Sequence, residues 1–346
     1  QLLTAAGLRA LPQRKWAWSL GSVVQGLSAL CIAIAAITLE GAAAVYAIVG
    51  ALAVLALARS VCSVTYKDVL GKTVSKSRRG TATGLASSAS ALMVIVFGLA
   101  LASGAFERMP VVLTGLVLAG ALWMLAAFLF STLEEERGAT EGGANPLKAA
   151  LGNFGLLKRD AQLRRFIAVR GLLISTALAP PFMVALGTEQ QQNAGFGGLG
   201  LLVIASAGAA LLSAYVWGRL ADTSSRKVLI FSAIAATLAL IATLTLDRFS
   251  LLGAVWALPL MIFLLMIAYQ GVRLGRSTHL VDMANEDNRA AYTALSNTLI
   301  GLLLALGGAF SLLAEIAGVE VVIIVLAAMS GLSILVSLGL DEVQQD

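Results

Sequence analysis

Charge is scarce in this sequence. Asp, Glu, Lys and Arg supply 12% of its 346 residues, and apolar residues supply 59%, whereas soluble domains carry roughly 25% charge. That balance excludes a water-soluble fold. Histidine occurs once, at His279, and cysteine twice, at Cys31 and Cys62, both inside apolar runs. One histidine leaves little for acid–base or metal chemistry, and no phosphate-cradling P-loop or HExxH helix is present. The sequence therefore reads as no enzyme, with no cofactor and no metal. The two thiols read as small core residues. Period-2 alternation with aromatic girdles is missing as well, which excludes an outer-membrane barrel. Nor is there a basic, apolar and small-residue leader; residue 1 is glutamine, so the start reads as cut rather than processed.

Long Leu/Ala/Val/Gly runs are plentiful. A helix rises 1.5 Å per residue and about 20 apolar residues cross the hydrocarbon, so the backbone of such runs must be satisfied within helices. The fold class is all-α, a polytopic bundle. Runs bounded by charges and turn residues predict ten helices, near 16–39, 42–66, 81–105, 110–132, 165–187, 196–218, 227–247, 251–274, 290–314 and 319–340. The third opens on the small polar residues TATGLASSAS, which suit close helix packing.

The basic residues fall between these runs. Arg9, Arg14 and Lys15, then Lys67, Lys72, Lys76, Arg78 and Arg79, and the segment from Arg137 to Arg165 lie on one side, as do Arg219, Arg226, Lys227, Arg273, Arg276 and Arg289. Arg108 and Arg248 alone lie on the other. The positive-inside tendency makes the basic side cytoplasmic and puts the carboxyl terminus there; a bacterial inner membrane is the expected location. A net charge of +5 is accounted for by these loops and by contact with membrane lipid, so no nucleic-acid partner is needed. The connection over 133–164 is rich in charge and Gly and reads as a hinge, dividing the chain into a bundle over 1–132 and a six-helix bundle over 165–346.

The halves resemble each other. An offset of 210 sets RRGTATGLASS, from Arg78, on NRAAYTALSNT, from Asn288; an offset of 212 sets AGLRALPQRKWAW, from Ala6, on GRLADTSSRKVLI, from Gly218. The order of helix, basic loop and helix is shared. If the halves are copies, the helices at 165–187 and 196–218 lack counterparts before Ala6. The expectation is then a parent of twelve helices, with roughly 50 to 60 residues ahead of Gln1.

GRLADTSSRK, Gly218 to Lys227, resembles the loop signature of the major facilitator superfamily: Gly, three residues, Asp, then a basic pair. It departs from the signature at Thr223, where a basic residue is usual, and at Ser225, where a Gly is usual. The first-half copy has Ala10 in place of the Asp. The resemblance implies a twelve-helix fold of two bundles and a secondary transporter of small solutes working by alternating access, with protons as a candidate coupling ion and efflux as one direction. It further implies that Asp222 latches the cytoplasmic side against Arg276 or the helix starting near Thr81. From the residues alone, Gly218 permits a tight turn, and Arg226 and Lys227 suit helix C-termini or anionic lipid; a solvated loop is the other reading.

Within the spans, Arg59 lies about eight residues before Lys67 and cannot easily sit among lipid tails, so it is expected to face the bundle, to hold an anionic substrate, or else to snorkel. Arg170 lies inside its helix, and Pro180 and Pro181 after it predict a kink that frees carbonyls. Gln25, Tyr46, Tyr269, Gln270 and Asn297 are candidate cavity-lining groups, with interhelical packing as the alternative for each. His279 is expected in a solvated loop. No Asp or Glu falls in the middle of a span. The function expected is transport of a small-molecule substrate; the competing reading is a transport-incompetent membrane sensor or assembly partner that keeps the fold.

Overall fold

A computed structural model describes residues 12–73, 79–103, 107–135, 155–190, 196–284 and 289–343. These residues form α-helices, with no strand among them: α1 Lys15–Thr38, α2 Gly41–Thr73, α3 Arg79–Ala102, α4 Arg108–Ser131, α5 Ala161–Leu172, α6 Ser175–Gln190, α7 Phe196–Thr223, α8 Ser225–Arg248, α9 Ala257–Met283, α10 Arg289–Ala305, α11 Gly308–Ala317 and α12 Val319–Leu338. Among the described residues nine segments are long and apolar enough to cross a membrane, α5–α6 and α10–α11 each furnishing one interrupted span. The third expected span contributes a shorter apolar stretch, Ala89–Ala102. Most of the 133–164 hinge and the basic residues Arg9, Lys76 and Arg78 lie outside the described residues.

The chain divides into two compact units. Unit 1 comprises residues 1–87 and 106–149, and unit 2 comprises 88–105 and 150–346. The division places the C-terminal half of α3 with the later helices. There Gly98 on α3 meets Gly200 on α7, so close that a Cβ on Gly200 would come within 2.6 Å of the Gly98 carbonyl oxygen. Small residues at a helix crossing substitute van der Waals contact for the hydrophobic drive that lipid removes.

In unit 1, α1 packs between α2 and α4. Its crossing with α4 is set by Gly26 and Gly120, where a Cβ on either would lie 3.0–3.2 Å from the other's carbonyl oxygen. Ser22 donates to the Trp123 carbonyl at 2.9 Å. In unit 2, α8 packs between α9 and α12 in the same way. Helix starts are spaced by 210 residues, from Lys15 to Ser225 and from Arg79 to Arg289, which is the sequence offset at Arg79 and two less than the 212 that sets Lys15 on Lys227. The core of unit 2 is built from Met183, Leu240, Leu252, Leu265, Ile323 and Leu326, all fully buried.

Several expected boundaries are corrected. Helix α9 starts at Ala257 and runs on to Met283 rather than ending at 274, α7 runs to Thr223 rather than 218, and α2 to Thr73 rather than 66. Apolar runs mark the membrane-embedded part of a helix, whereas its hydrogen-bonded turns continue past the apolar boundary. The 290–314 helix is broken at Leu306–Gly307, where the Gly307 amide bonds to the Leu304 carbonyl at 2.9 Å and a Cβ would approach Leu178. The 165–187 helix is also interrupted, at Leu173–Ile174. Thr176 and Ala177 tighten onto the carbonyls of Leu173 and Ile174, at 3.2 and 2.9 Å. Pro180 and Pro181 sit downstream inside α6; having no N–H, they leave the carbonyls four residues earlier without their helical donors.

Candidate functional site

Unit 2 gathers three sequence-expected residues from three helices. Arg170 on α5 donates to the Asn297 Oδ1 on α10 at 3.2 Å and to the Ser296 hydroxyl. Its guanidinium lies 5.8 Å from the Phe166 ring centroid. Arg276 on α9 lies within reach of the Arg170 charge, and Tyr269 and Arg273 lie within reach of Arg276. Tyr269 and Arg276 are seven residues apart, two helical turns, and share a face of α9.

Depth unites the group. Arg170 is nine residues into α5, Asn297 eight into α10, and Arg276 seven before the end of α9. At 1.5 Å per residue each lies about 10–14 Å from the basic end of its helix. The site is therefore a polar group of unit 2 in which Arg170 and Arg276 are half-buried, Ser296 is fully buried and Asn297 is exposed. Gln270 is half-buried on the same stretch of α9.

The candidates of unit 1 are dispersed. Gln25 is buried and donates to the Gly21 carbonyl at 3.3 Å and to the Cys62 sulfur at 3.2 Å, which ties α1 to α2. Tyr46 is 77% exposed, and Arg59 is exposed on α2 beside the buried Ala58. Within this unit no described helix covers either.

The Gly218–Lys227 motif folds differently from the expectation. Gly218 lies inside α7 with open space where a Cβ would be, so it makes no turn. The turn falls at Ser224, whose extended backbone (φ −167°, ψ 103°) caps α8 by accepting from the Lys227 amide at 3.0 Å. Serine is favoured there because its hydroxyl satisfies an orphan N–H of the first turn. Asp222 is exposed and has no partner among the described residues. The side chains of residues 79–88, the start of its other expected contact, lie outside the described residues. Arg226 donates to the Leu338 carbonyl at 2.7 Å, at the C-terminus of α12, and Lys227 is exposed.

His279 is corrected from a loop residue to a core one. Because α9 continues past 274, the ring is 1% exposed, stacked on Phe166 at 5.4 Å, with Nδ1 2.9 Å from the Ser225 hydroxyl. A signal for this existed: Gly271, Gly275 and His279 recur every four residues, and a Cβ on Gly275 would lie 3.0 Å from Val228 on α8.

Asp160 and Tyr292 form a pair that run length and motif spacing do not signal. Asp160 caps α5, accepting the Leu163 amide at 3.0 Å, and takes the Tyr292 hydroxyl at 2.5 Å. Burial pushes its carboxyl up, but the Tyr292 hydroxyl and the backbone donors outweigh burial and hold it below the ordinary value. Among the described residues no group of three or more His, Cys, Asp or Glu is placed to hold a metal.

The sequence model of a family described as Major Facilitator Superfamily matches residues 166–345, which contain this polar layer. The fold also matches a solved structure titled as a D-xylose-proton symporter, with TM-score 0.70 and 13% identity over 96% of this chain and 82% of that one. At that identity the likeness is one of fold. No curated protein matches the chain.

Proposed function

The chain belongs to the major facilitator superfamily, and on that premise we propose that it is an integral membrane permease that moves a small organic solute by alternating access. The observation that carries this reading is the layer of Arg170, Ser296, Asn297 and Arg276, contributed by three helices of unit 2 at one depth. Ionisable groups drawn into a helix bundle are expensive, and in transporters they mark the solute pathway. A bundle that served only as a scaffold would gain nothing from two arginines at that level.

Protons are the coupling ion we adopt, supported by the fold shared with a proton symporter. The basic helix ends are placed on the cytoplasmic side, with the carboxyl terminus among them. Asp222, exposed and unengaged at the end of α7, is assigned the latch role of its motif, whereas Arg226 serves unit 2 itself.

The test is flux in proteoliposomes loaded with a mixed pool of radiolabelled solutes, with and without a pH gradient. Saturable movement that a protonophore reduces is expected. Absence of flux for every solute, in protein that is monodisperse and helical, would favour a sensor or assembly role instead.

A further inference from the structure

Arg170 and Arg276 carry positive charge into unit 2 without an answering negative one. Among the described residues no carboxylate pairs with either. Arg170 has only the neutral acceptors Ser296 and Asn297 and the Phe166 ring, and its Nε is buried with no acceptor. Arg276 makes no hydrogen bond among the described residues, and its charged neighbours are also arginines, Arg170 and Arg273. Desolvating one charge is costly unless it is paired, and a second like charge within its field adds repulsion. A structural role accounts for two of the Arg170 donors. It leaves the Nε and all of Arg276 unexplained.

We infer that Arg170 and Arg276, steadied by Ser296 and Asn297, bind the oxyanion head, a carboxylate or phosphate, of the transported solute. The guanidinium fork matches such groups with paired charge-assisted bonds, and Ser296 and Asn297 take one N–H from each Nη of Arg170, leaving the second N–H of each for the ligand. An entering anion supplies the missing counter-charge, so the cost of the empty site becomes selectivity for anions over neutral and cationic solutes. This inference rests on the transport reading.

The experiment separates the two. Thermal unfolding of the full chain in phosphatidylcholine nanodiscs would be followed with succinate, glycerol 3-phosphate and benzoate, and with mannitol and tetraethylammonium as neutral and cationic controls. A ligand that binds the folded state raises Tm by mass action. At least one anion should raise Tm saturably while neither control does. Arg170→Gln and Arg276→Gln should each weaken that anion about tenfold or more, the loss of one charge-assisted contact, and Arg170→Lys should weaken it less. Arg276→Gln leaves the Arg170 hydrogen bonds in place, so it guards against misfolding of the Arg170 variants. No stabilisation by any anion, or stabilisation undiminished in both Gln variants, overturns the anion site. Nanodiscs containing phosphatidylglycerol test a lipid headgroup as the source of the oxyanion: a Tm rise from that lipid alone, with none from the soluble anions, also overturns it. Counterflow of mannitol without anion binding would sink the anion site and leave the transport reading standing, whereas binding of an anion with no counterflow of that anion or of any other solute would do the reverse.

Discussion

Glu342, four residues past the end of α12, accepts the Ser224 hydroxyl at 2.7 Å and so returns to the N-terminus of α8. Glu135 stands in the same relation within unit 1: four residues past the end of α4, it accepts the Lys15 amide at 2.8 Å, while the Lys15 ammonium reaches the Leu133 carbonyl at 2.6 Å. Each carboxylate meets the positive end of a helix dipole and helps to close its own unit. Glu342→Ala and Glu135→Ala are expected to cost about 1–2 kcal/mol each, the worth of a hydrogen bond to a charged group. Gln at either position, which still accepts, should cost less. Denaturant titration of the purified protein would show it, and equal behaviour of the Ala and Gln variants would refute the assignment.

His279 and Ser225 join α9 to α8 in the same region. His279→Ala removes the stack on Phe166 and the hydrogen bond to Ser225 and opens a cavity. The expected loss is about 2–4 kcal/mol, seen as a fall in Tm. A loop histidine would give no measurable change.

The difference between what could and could not be read in the sequence follows from the solvent. Apolar run length located the spans well, because hydrocarbon imposes it. It could not locate the ends of α7 and α9, since Arg219 and Arg273 to His279 lie on turns that continue past the apolar boundary. The repeat is legible at Arg79 and Arg289 because basic loops and helix starts coincide there. The polar layer was half legible: Arg170 and Asn297 stood out as polar residues in spans, but their pairing depends on how α5 packs on α10. Arg59 looked equally conspicuous, yet it lies on the exposed side of α2 in unit 1. Periodicity too weak to pick a face gave no means of telling them apart.

Asp160 makes stability depend on pH at the acidic end. Its folded carboxyl titrates below the ordinary value, so its contribution is complete above the unfolded value of about 4 and is lost as pH falls through the folded one. Asp160→Asn keeps a capping side chain but removes the charge. The variant should therefore melt below the wild type at pH 7, and the two should converge under about pH 4. Tyr292→Phe removes the hydroxyl that donates to the carboxylate and should move the convergence to higher pH. A gap between wild type and Asp160→Asn that stays constant from pH 7 to pH 3 would contradict the account.

Gly120 tests the close crossing in unit 1. A Cβ there would meet Leu30 at 3.1 Å and the Gly26 carbonyl oxygen at 3.2 Å, and a Val adds two further methyl groups. Gly120→Val should cost about 1–3 kcal/mol by overpacking. Leu30→Ala, which vacates the neighbouring space, should recover part of that loss in the double variant. Additive destabilisation in a double-mutant cycle would show that the two sites do not share the crossing.

The basic-loop motif divides into a structural and a gating part, and the division is measurable. Arg226 is bonded to the Leu338 carbonyl at the negative end of α12, so Arg226→Ala should lower stability by about 1 kcal/mol while flux per folded molecule stays near normal. Asp222 is exposed and unpartnered among the described residues, so Asp222→Asn should leave Tm unchanged. If Asp222 latches the permease in one state of its cycle, its neutral variant biases the populations of the two access states, changing flux and the labelling of cysteines placed on the cytoplasmic side. The opposite pattern, a Tm loss for Asp222→Asn and a flux loss for Arg226→Ala at normal stability, would exchange the two roles. Unchanged flux and labelling in Asp222→Asn would remove the latch from this protein altogether, leaving the motif as a helix cap at Ser224 and a C-terminal clasp at Arg226.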